Sequence, residues 1–518
     1  MVEPYESERK FDGDRVKTES KSVYLETMGC QMNVLDSELV MGQLRAMGYA
    51  PTDEMTSANL VLLNTCSVRD HAEQKVLSRL GALRKPKQRR DDLVVGVIGC
   101  MAERDPDGIF KKMPHVDLVC GPSELNKIPA LIAEVREGRK RAVALSQSLS
   151  RKSTPLARSL EFDSVEALDL ARDPAPAQNL LQSYIRVQRG CDKFCTFCVV
   201  PFTRGAERSR PPSQIVTEAK MLSDRGAKEV TLLGQTVNSY IHQENGRIVR
   251  FAELLERIND VSGIERIRFV TSYPGDFTND IFEAMRDLPK VCEYLHLPVQ
   301  SGSDSVLKRM RRQYTVGEYL ELIHRARETV PGLALATDFI VGFCGETDRE
   351  HEESVALIRR CEFKNIFVFK YSKRPDTVAE KRMVDDVSDD IKRRRNMELL
   401  VAQENLATSA NQRWIGRQVE VLVEGYSKAA LKAQEAEQSR GEEVSWRRSD
   451  QLVGRTRSDQ IVVFHGESSH IGSFATVRID AATALTLHGE VISKPPPGDH
   501  ARDVARVPGM SLPVLGGG

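Results

Sequence analysis

Three cysteines stand close together near the middle of the chain, in the stretch YIRVQRGCDKFCTFCVVP. Cys191, Cys195 and Cys198, the central cysteines, have C-x3-C-x2-C spacing and follow a β-branched and aromatic run. With ten cysteines in 518 residues, chance would produce roughly 0.004 such triples. Three thiolates on one loop, with no fourth at the spacing of a zinc ribbon, suit an iron–sulfur cubane with one iron left open. Three buried hydrophobic side chains, or a zinc site with a distant fourth ligand, are the alternatives.

A second set of cysteines follows predicted strands in the first part of the chain. Cys30, Cys66 and Cys100, the N-terminal cysteines, each come shortly after one of three strands that alternate with helices. The carboxyl ends of parallel strands lie along one edge of a doubly wound sheet, so the three thiols are expected to meet there. The turns TMGCQMN, LNTCSVR and IGCMAE offer backbone N–H groups to a second cluster, with buried packing cysteines as the alternative. The predicted strands are Val23–Thr27, Leu60–Asn64 and Leu93–Ile98.

Charge balance and cysteine use limit the class of protein. Lys plus Arg and Asp plus Glu both number 74, so any site for a polyanion must be a local patch. No apolar run approaches the ~20 residues of a membrane span. The charged, acid-rich start of the chain argues against a signal peptide, and the cysteines then indicate a reducing compartment. A cytoplasmic protein of roughly two to four domains is expected.

Two α/β domains are predicted to position the cysteines. Residues 1–20 are expected to be disordered, 21–137 to form a doubly wound parallel sheet, and 138–176 to form a linker rich in Arg, Ser and Pro. Residues 177–410 contain six βα units, which predict a partial (β/α)6 barrel with the central cysteines after its first strand. An open sheet would keep the same functional edge. The predicted strands are Tyr184–Val187, Glu229–Leu233, Ile267–Thr271, Tyr294–Pro298, Leu335–Val341 and Ile366–Tyr371.

The hydrophobic pattern changes to period-two alternation in the last part of the chain. Short strands with Gly turns predict a small antiparallel β-barrel over residues 411–494. A segment of low apolar content, about 428–450, reads as an insertion in one barrel loop, and 495–518 reads as a disordered tail. The predicted barrel strands are Gln418–Val423, Gln460–Phe464, Phe474–Ile479 and Leu487–Ile492.

The motifs around both cysteine sets resemble those of a known family. GCDKFCTFC resembles the cluster loop of the radical S-adenosylmethionine (SAM) enzymes, and CVVPFTRGAERSR and the three N-terminal turns resemble their methylthiotransferase branch. VEVLVEGYSK, LVGRT and IGSFATVRI resemble the TRAM module, an RNA-binding barrel at the C-terminus of this family. The likeness covers residues 21 to about 493. Two residues depart from the family pattern: Cys344 replaces Pro, and Asp376 replaces a Gly that tolerates positive φ.

The resemblance implies specific cofactors and site residues. It implies that the central cysteines bind a [4Fe–4S] cluster whose open iron holds SAM, and that the N-terminal cysteines bind an auxiliary [4Fe–4S] cluster. It also implies SAM contacts from the turns LLGQTVN, HLPVQSGS and DFIVGFCGET, although loop structure and helix caps would also explain their composition. The candidate SAM-binding residues are Gly234, Gln235, Gln300, Ser301, Asp338 and Gly342.

TMGCQMN and CVVP indicate the MiaB-like branch of the family, which implies a substrate and partners. The substrate is tRNA carrying N6-isopentenyladenosine next to the anticodon, and two SAM molecules support methylthiolation at C2. The implied partners are tRNA and an electron donor such as flavodoxin or ferredoxin, with no sulfur donor indicated and a monomer expected. Two alternatives keep the enzyme family and both clusters but change the substrate, either to threonylcarbamoyladenosine in tRNA or to an aspartate of a ribosomal protein. The alternatives of another class are an iron–sulfur electron-transfer protein and an RNA-binding protein with structural zinc.

Other reactive or charged residues are given structural interpretations. Cys120, Cys292 and Cys361 are expected to be packing residues, and His296 a structural histidine. The segment RGAERSR, Arg204–Arg210, is either a basic rim for a phosphate-bearing substrate or a solvated, salt-bridged loop. Three basic runs are expected to be mostly solvated helix faces: Lys85–Arg90, Lys308–Arg312 and Lys392–Arg395.

Overall fold

The computed structural model describes residues 21–67, 70–146, 154, 156, 158, 165–172, 181–433 and 450–493. Both segments predicted to be disordered tails, 1–20 and 495–518, lie outside these residues, as do about half of the predicted linker and most of the predicted loop insertion. Among the described helices, none is both long and apolar enough to cross a membrane.

The first domain is the predicted doubly wound parallel sheet, with strand order β2-β1-β3-β4-β5-β6. Its two central strands, with sequences LVLLNT and VVGVIG, are buried on both faces, because alternate residues pack into separate cores on either side. The strands are β1 Ser22–Met28, β2 Ala50–Pro51, β3 Leu60–Thr65, β4 Val94–Gly99, β5 Leu118–Cys120 and β6 Ala142–Ala144. The helices are α1 Gln31–Ala46, α2 Asp70–Arg89, α3 Cys100–Arg104, α4 Pro106–Lys112 and α5 Ile128–Arg136. The strand order reverses between β1 and β3, and such reversals create a crevice at the carboxyl ends of the strands.

Two packed elements lie within the segment predicted to be a linker. Strand β6 pairs in parallel with β5 and so extends the first sheet. A short helix, α6 Glu166–Leu170, carries the fully buried Asp169, which accepts a hydrogen bond from Arg186 of the next domain at 2.6 Å. Part of this segment therefore belongs to the folded body.

The central domain is an open arc of six parallel strands, which confirms the partial barrel. Its two three-stranded sheets, β13-β10-β7 and β14-β15-β16, are linked by a bridge between Ile267 and Val291. The strands are β7 Gln182–Arg186, β8 Gln188–Arg189, β9 Arg208–Ser209, β10 Glu229–Leu233, β11 Ile241–Glu244, β12 Arg247–Arg250, β13 Arg266–Phe269, β14 Tyr294–His296, β15 Ala334–Val341 and β16 Asn365–Lys370. The helices are α7 Val200–Thr203, α8 Pro212–Asp224, α9 Phe251–Asn259, α10 Asn279–Asp287, α11 Asp304–Arg309, α12 Val316–Thr329, α13 Asp348–Cys361, α14 Val378–Arg382 and α15 Asp389–Gln412.

The last domain is the predicted small barrel, closed in the order β17-β18-β19-β21-β20. Its strands are β17 Gln418–Tyr426, β18 Gln451–Arg455, β19 Ile461–His465, β20 Phe474–Ala482 and β21 Thr486–Ser493. The sequence did not predict β18, because QLVGR is short and interrupted by glycine. Four strand pairs are antiparallel, as predicted, but β19 and β21 are parallel. A closed ring with an odd number of strands cannot alternate direction throughout, so one pair must be parallel.

The barrel docks on the amino ends of the central strands through buried arginines. Arg268 of β13 donates hydrogen bonds to the carbonyls of Thr456 at 2.7 Å and Arg457 at 2.8 Å. Arg266, the first residue of β13, donates to the carbonyl of Arg455 at 2.6 Å. The turn after β18 therefore covers the end of the arc opposite the carboxyl ends, where the candidate site lies.

An ion pair completes this contact. Lys364, next to β16, lies 2.8 Å from the carboxylate of Asp459, and both side chains are largely buried. Burial alone would raise the pKa of Asp459, but the charges of Lys364, Arg455 and Arg268 outweigh burial and hold it well below its ordinary value. The ionised carboxylate thus neutralises cations from both domains.

We expect Asp459→Asn to destabilise the protein by roughly 3–5 kcal/mol, because it leaves buried cations without their counter-charge. Asn tolerates the positive φ of 63° at this position, so the backbone should keep its conformation. The free energy of unfolding in urea measures the effect. Asp480→Asn is the control, since its pair with Arg478 is exposed and should contribute at most about 1 kcal/mol. Equal losses in both variants would contradict the prediction.

Candidate active site

The N-terminal cysteines meet at the edge of the first sheet, as predicted. Cys30 precedes α1, Cys66 follows β3, and Cys100 begins α3 directly after β4. Cys30 and Cys66 share a hydrogen bond between their sulfurs, and a Cβ on Gly29 would lie 2.8 Å from the Cβ of Cys66. The strand-order reversal therefore brings together turns that are distant in the sequence.

Two buried asparagines tie the turns of Cys30 and Cys66 together. The Cys30 thiol donates to Oδ1 of Asn33 at 3.0 Å, and Nδ2 of Asn33 donates to Oδ1 of Asn64 at 2.9 Å. Nδ2 of Asn64 donates in turn to the Asn33 carbonyl at 2.8 Å and to the Ser37 hydroxyl at 2.9 Å. Because buried polar groups are costly to leave unpaired, this network fixes both turns relative to each other.

The turn of Cys100 joins the network through a close backbone approach. Gly99 has a φ of 94°, and a Cβ there would lie 2.4 Å from Oδ1 of Asn64. Only glycine allows this conformation and this approach together. All three cysteine-bearing turns are thus held around one amide pair.

A buried guanidinium lies beside these thiols. Arg204, 5% exposed, pairs with the fully buried carboxylate of Asp36 on α1 at 2.7 Å. The hydrogen bond from Cys66, with help from the charge of Arg204, lowers the pKa of the Cys30 thiol to about 6 despite burial. Burial raises the pKa of Cys100, although Arg204 opposes this. The arginine therefore favours negative charge on Cys30 and Cys100.

The central cysteines lie on the loop after β7, at the carboxyl ends of the arc. The Cys191 N–H donates to the Gly205 carbonyl at 3.1 Å, and the Cys198 N–H donates to the Cys195 carbonyl at 3.1 Å. The Lys193 N–H lies 3.5 Å from the sulfur of Cys191. The loop is therefore shaped by its own backbone, with an N–H group directed at one thiol.

The two cysteine sets face each other across the domain boundary. Helix α3, which starts at Cys100, packs against α7, which follows Cys198. Burial raises the pKa of the Cys198 thiol to about 12, and the charges of Cys195 and, to a smaller extent, Cys100 add to this rise. Arg204 directly follows α7 and reaches back to the N-terminal cysteines. One charged side chain thus connects both sets.

The donors fit clusters better than single ions. A zinc ion draws its ligands to one centre, whereas a cubane gives each thiolate its own iron. Two sets of three thiols, with a buried cation between them, match the second arrangement.

His296 links two predicted strand-end turns and fits its structural interpretation. Its Nδ1 accepts the Thr271 N–H at 3.3 Å, so Nε2 carries the proton and donates to Oδ1 of Asp338 at 3.0 Å. Asp338, a predicted SAM contact, is therefore oriented by the imidazole at the carboxyl edge.

The other predicted SAM-binding residues occupy different environments. Gln235 and Gln300 are half-buried at the carboxyl ends of the strands, and Gly234 is buried beside them. Ser301 is 1% exposed, and its hydroxyl accepts the Ser303 N–H at 3.2 Å. Gly342 has a φ of 69° and approaches Lys392 so closely that a Cβ would lie 2.3 Å from its Cγ. Their roles toward SAM remain predictions.

The basic segment RGAERSR is largely buried, and the basic runs Lys308–Arg312 and Lys392–Arg395 are only partly exposed. Arg204 and Arg210 are buried, so the prediction of a basic rim or a solvated loop was wrong for both. Arg210 pairs with Glu218 at 2.7 Å. Lys392 and Arg395 are each 3% exposed and belong to buried ion pairs. The carboxylates that pair with these cations lie elsewhere in the chain, so composition alone does not show that the cations are buried.

The remaining interpretations hold in the structure. Cys120, Cys292 and Cys361 are buried in the core, as predicted. Asp376 adopts a φ of 70°, so it keeps the backbone conformation expected of the glycine it replaces. Cys344 is buried in an apolar cluster beside Phe197 of the central cysteine loop.

Sequence reasoning missed several residues that shape the site. Asn33 lies in the motif TMGCQMN and Asn64 in LNTCSVR, so their position beside predicted ligands was the available signal. Asp36, Tyr273 and Arg312 carry no local signal, because their partners lie far away in the sequence.

Comparison with known proteins follows the three domains. The family models that match are Uncharacterized protein family UPF0004 at residues 22–121, Radical SAM superfamily at 185–358, and TRAM domain at 442–492. A tRNA-2-methylthio-N(6)-dimethylallyladenosine synthase of Rhodopirellula baltica is 47% identical over 91% of this chain and 96% of its own. A protein of the same name from Phocaeicola vulgatus is 40% identical over 92% of this chain and 97% of its own length. A solved radical SAM methyltransferase, TsrM from Kitasatospora setae, is 13% identical and matches with a TM-score of 0.48, covering 70% of this chain and 77% of that one.

We expect Gly99→Ala to destabilise the apo protein and to prevent the N-terminal cysteines from meeting, because the new methyl group displaces Asn64. Gly48→Ala is the control, since Gly48 also has a positive φ, 83°, but nothing lies within 4 Å of its Cβ position. The control should lose about 1–3 kcal/mol from backbone strain alone, and Gly99→Ala clearly more. Urea unfolding measures the stability, and iron content after reconstitution measures the thiol site. Identical behaviour of the two variants would contradict this role of Gly99.

Proposed function

Because the chain belongs to the family of tRNA-2-methylthio-N(6)-dimethylallyladenosine synthases, we propose that it methylthiolates C2 of N6-isopentenyladenosine next to the anticodon of tRNA. The dimethylallyl group of the family name is the isopentenyl group of this substrate. The observation that carries the proposal is the meeting of two three-thiol sets at one domain boundary, with Arg204 between them.

In this proposal each cysteine set holds one [4Fe–4S] cluster. The central cysteines hold the cluster whose open iron binds SAM, and the N-terminal cysteines hold the auxiliary cluster. When bound with two SAM molecules, these groups supply a radical able to break a C–H bond and the sulfur chemistry that follows. A radical is required because the C2–H bond of adenosine has neither useful acidity nor a leaving group.

The protein's own groups prepare this chemistry by position and charge. Three of the six thiols are buried and three are partly buried, which limits the access of water and strengthens electrostatic contacts there. Arg204 offsets negative charge on the N-terminal cysteines, and Asp36 fixes its orientation. Backbone N–H groups, such as that of Lys193, stabilise the ligating sulfurs. The fixed domain boundary sets the relative position of the two sites.

The partners and location follow from the same proposal. tRNA is the substrate, and the TRAM barrel is the element that contacts RNA. An electron donor such as flavodoxin or ferredoxin reduces the SAM-binding cluster, and we propose that the enzyme works as a cytoplasmic monomer. The strand-end residues Gly234, Gln235, Gln300, Ser301, Asp338 and Gly342 are proposed to surround SAM.

Two sibling substrates and two other classes of protein compete with this proposal. The names of the relatives favour isopentenyladenosine over threonylcarbamoyladenosine and over a ribosomal-protein aspartate. An electron-transfer protein needs no SAM-binding domain, and an RNA-binding protein with structural zinc needs no second thiol set. The complete set of motifs therefore supports the transferase.

A nucleoside profile of tRNA tests the substrate. We expect mass spectrometry of tRNA from cells lacking the protein to show loss of methylthio-isopentenyladenosine and accumulation of the unthiolated nucleoside. The wild-type gene should restore the profile. Loss of the threonylcarbamoyl analogue instead would keep the enzyme class and replace the substrate, and an unchanged tRNA profile would contradict the proposal.

Cysteine variants test the separate roles of the two cysteine sets. Cys191→Ala should abolish deoxyadenosine formation from SAM, because the open-iron cluster loses a ligand. Cys66→Ala should still cleave SAM but should not thiolate tRNA. Cys361→Ala is the control, since this cysteine is buried in the core away from both sets, and both reactions should persist. SAM cleavage by the Cys191 variant, or full thiolation by the Cys66 variant, would refute the corresponding assignment.

A further inference from the structure

Arg312 reaches the central cysteines from a distant part of the chain. It lies at the end of a basic run predicted to be solvated, yet it is only partly exposed. Its Nη1 lies 3.4 Å from the sulfur of Cys195, within hydrogen-bond distance. A cation therefore touches one of the proposed ligands of the SAM-binding cluster.

The guanidinium is held in place by neutral groups. Nε donates to the Tyr314 hydroxyl at 2.8 Å, and Nη2 donates to the Pro298 carbonyl at 3.0 Å. The guanidinium also lies over the rings of Tyr273, at 4.7 Å, and Tyr314, at 5.1 Å. These contacts fix the plane of the guanidinium and leave Nη1 directed at the thiol.

The aromatic support is itself anchored to the strand-end turns. Nδ2 of Asn238 donates to the Tyr273 carbonyl at 2.9 Å, and Oδ1 of Asn238 accepts the Tyr273 N–H at 2.8 Å. The Tyr273 hydroxyl accepts the N–H of Gln313, the residue after Arg312, at 3.1 Å. The position of Arg312 is therefore built into the arc.

The charge of Arg312 is not cancelled locally, which distinguishes it from the other cations at this site. Lys193 lies 2.5 Å from the carboxylate of Asp276, and Arg204 is paired with Asp36. Within the described part of the chain, Arg312 forms no ion pair with a carboxylate. Its full positive charge thus acts on Cys195 at a partly buried contact, which solvent screens less than an exposed one.

We propose that Arg312 is a positioning residue that raises the reduction potential of the cluster bound by the central cysteines. A fixed cation beside a ligating thiolate favours the cluster form that carries one more electron, and hydrogen bonds to ligating sulfurs act in the same direction. The inference rests on the proposed function, because it requires a cluster on these cysteines.

A redox titration of the reconstituted full-length protein tests the inference. The Cys30→Ala, Cys66→Ala, Cys100→Ala background removes the auxiliary site, so the EPR signal of the reduced cluster reports the central site alone. In the titration dithionite is oxidised, and each cluster gains one electron. Arg312→Gln should lower the reduced-to-oxidised ratio at a given potential by about tenfold, which is 59 mV for a one-electron couple.

Two further variants separate charge from structure. Arg312→Lys keeps the charge and should shift the potential less than Arg312→Gln, whereas a purely structural role would give equal effects. Lys308→Gln is the matched control, since Lys308 is exposed in the same basic run and solvent screens its charge, so the potential should not move. Should the cluster assemble with an unchanged potential in Arg312→Gln, this inference alone fails. If no cluster signal forms in the background protein, the proposed function fails with it.

Discussion

A buried ion pair between Arg204 and Asp36 joins the two halves of the candidate active site. The arginine belongs to the loop of the central cysteines, and the aspartate belongs to the helix that follows Cys30. Either charge alone would be very costly in the interior, so separation of the domains at this point is unfavourable. The pair does not need to add much net stability to matter. It specifies one arrangement of the two thiol sets.

Buried arginines also make other contacts between domains. Arg172, next to α6, pairs with Glu38 of the first domain and with Glu218 of the central one. Arg268 donates to carbonyls of the C-terminal barrel. The planar guanidinium offers several donors in a fixed geometry, so such contacts fix orientation as well as distance. An apolar interface of the same size would let the two domains shift against each other. A reaction that uses groups from both domains requires a fixed relative position.

The sequence predicted the features that depend on local pattern. The C-x3-C-x2-C spacing, the apolar runs of β3 and β4, and the cysteines at strand ends all lie within short segments. It could not predict that Arg204 and Arg210 are buried, because Asp36 and Glu218 become their partners only after folding. Arg204 and Asp36 are 168 residues apart. Charge runs resemble solvated helix faces until a distant carboxylate or carbonyl is placed against them.

A chain with no net formal charge must supply cations to its thiols locally. It does so in two physically different ways. Lys193 and Arg204 are paired with carboxylates, which weaken the field of each cation, although the charge of Arg204 still favours ionisation of Cys30 and Cys100. Arg312 is oriented by tyrosine rings, a hydroxyl and a carbonyl, and it keeps its charge. Neutral support is therefore what allows a side chain to be rigid and still act electrostatically on a neighbouring sulfur.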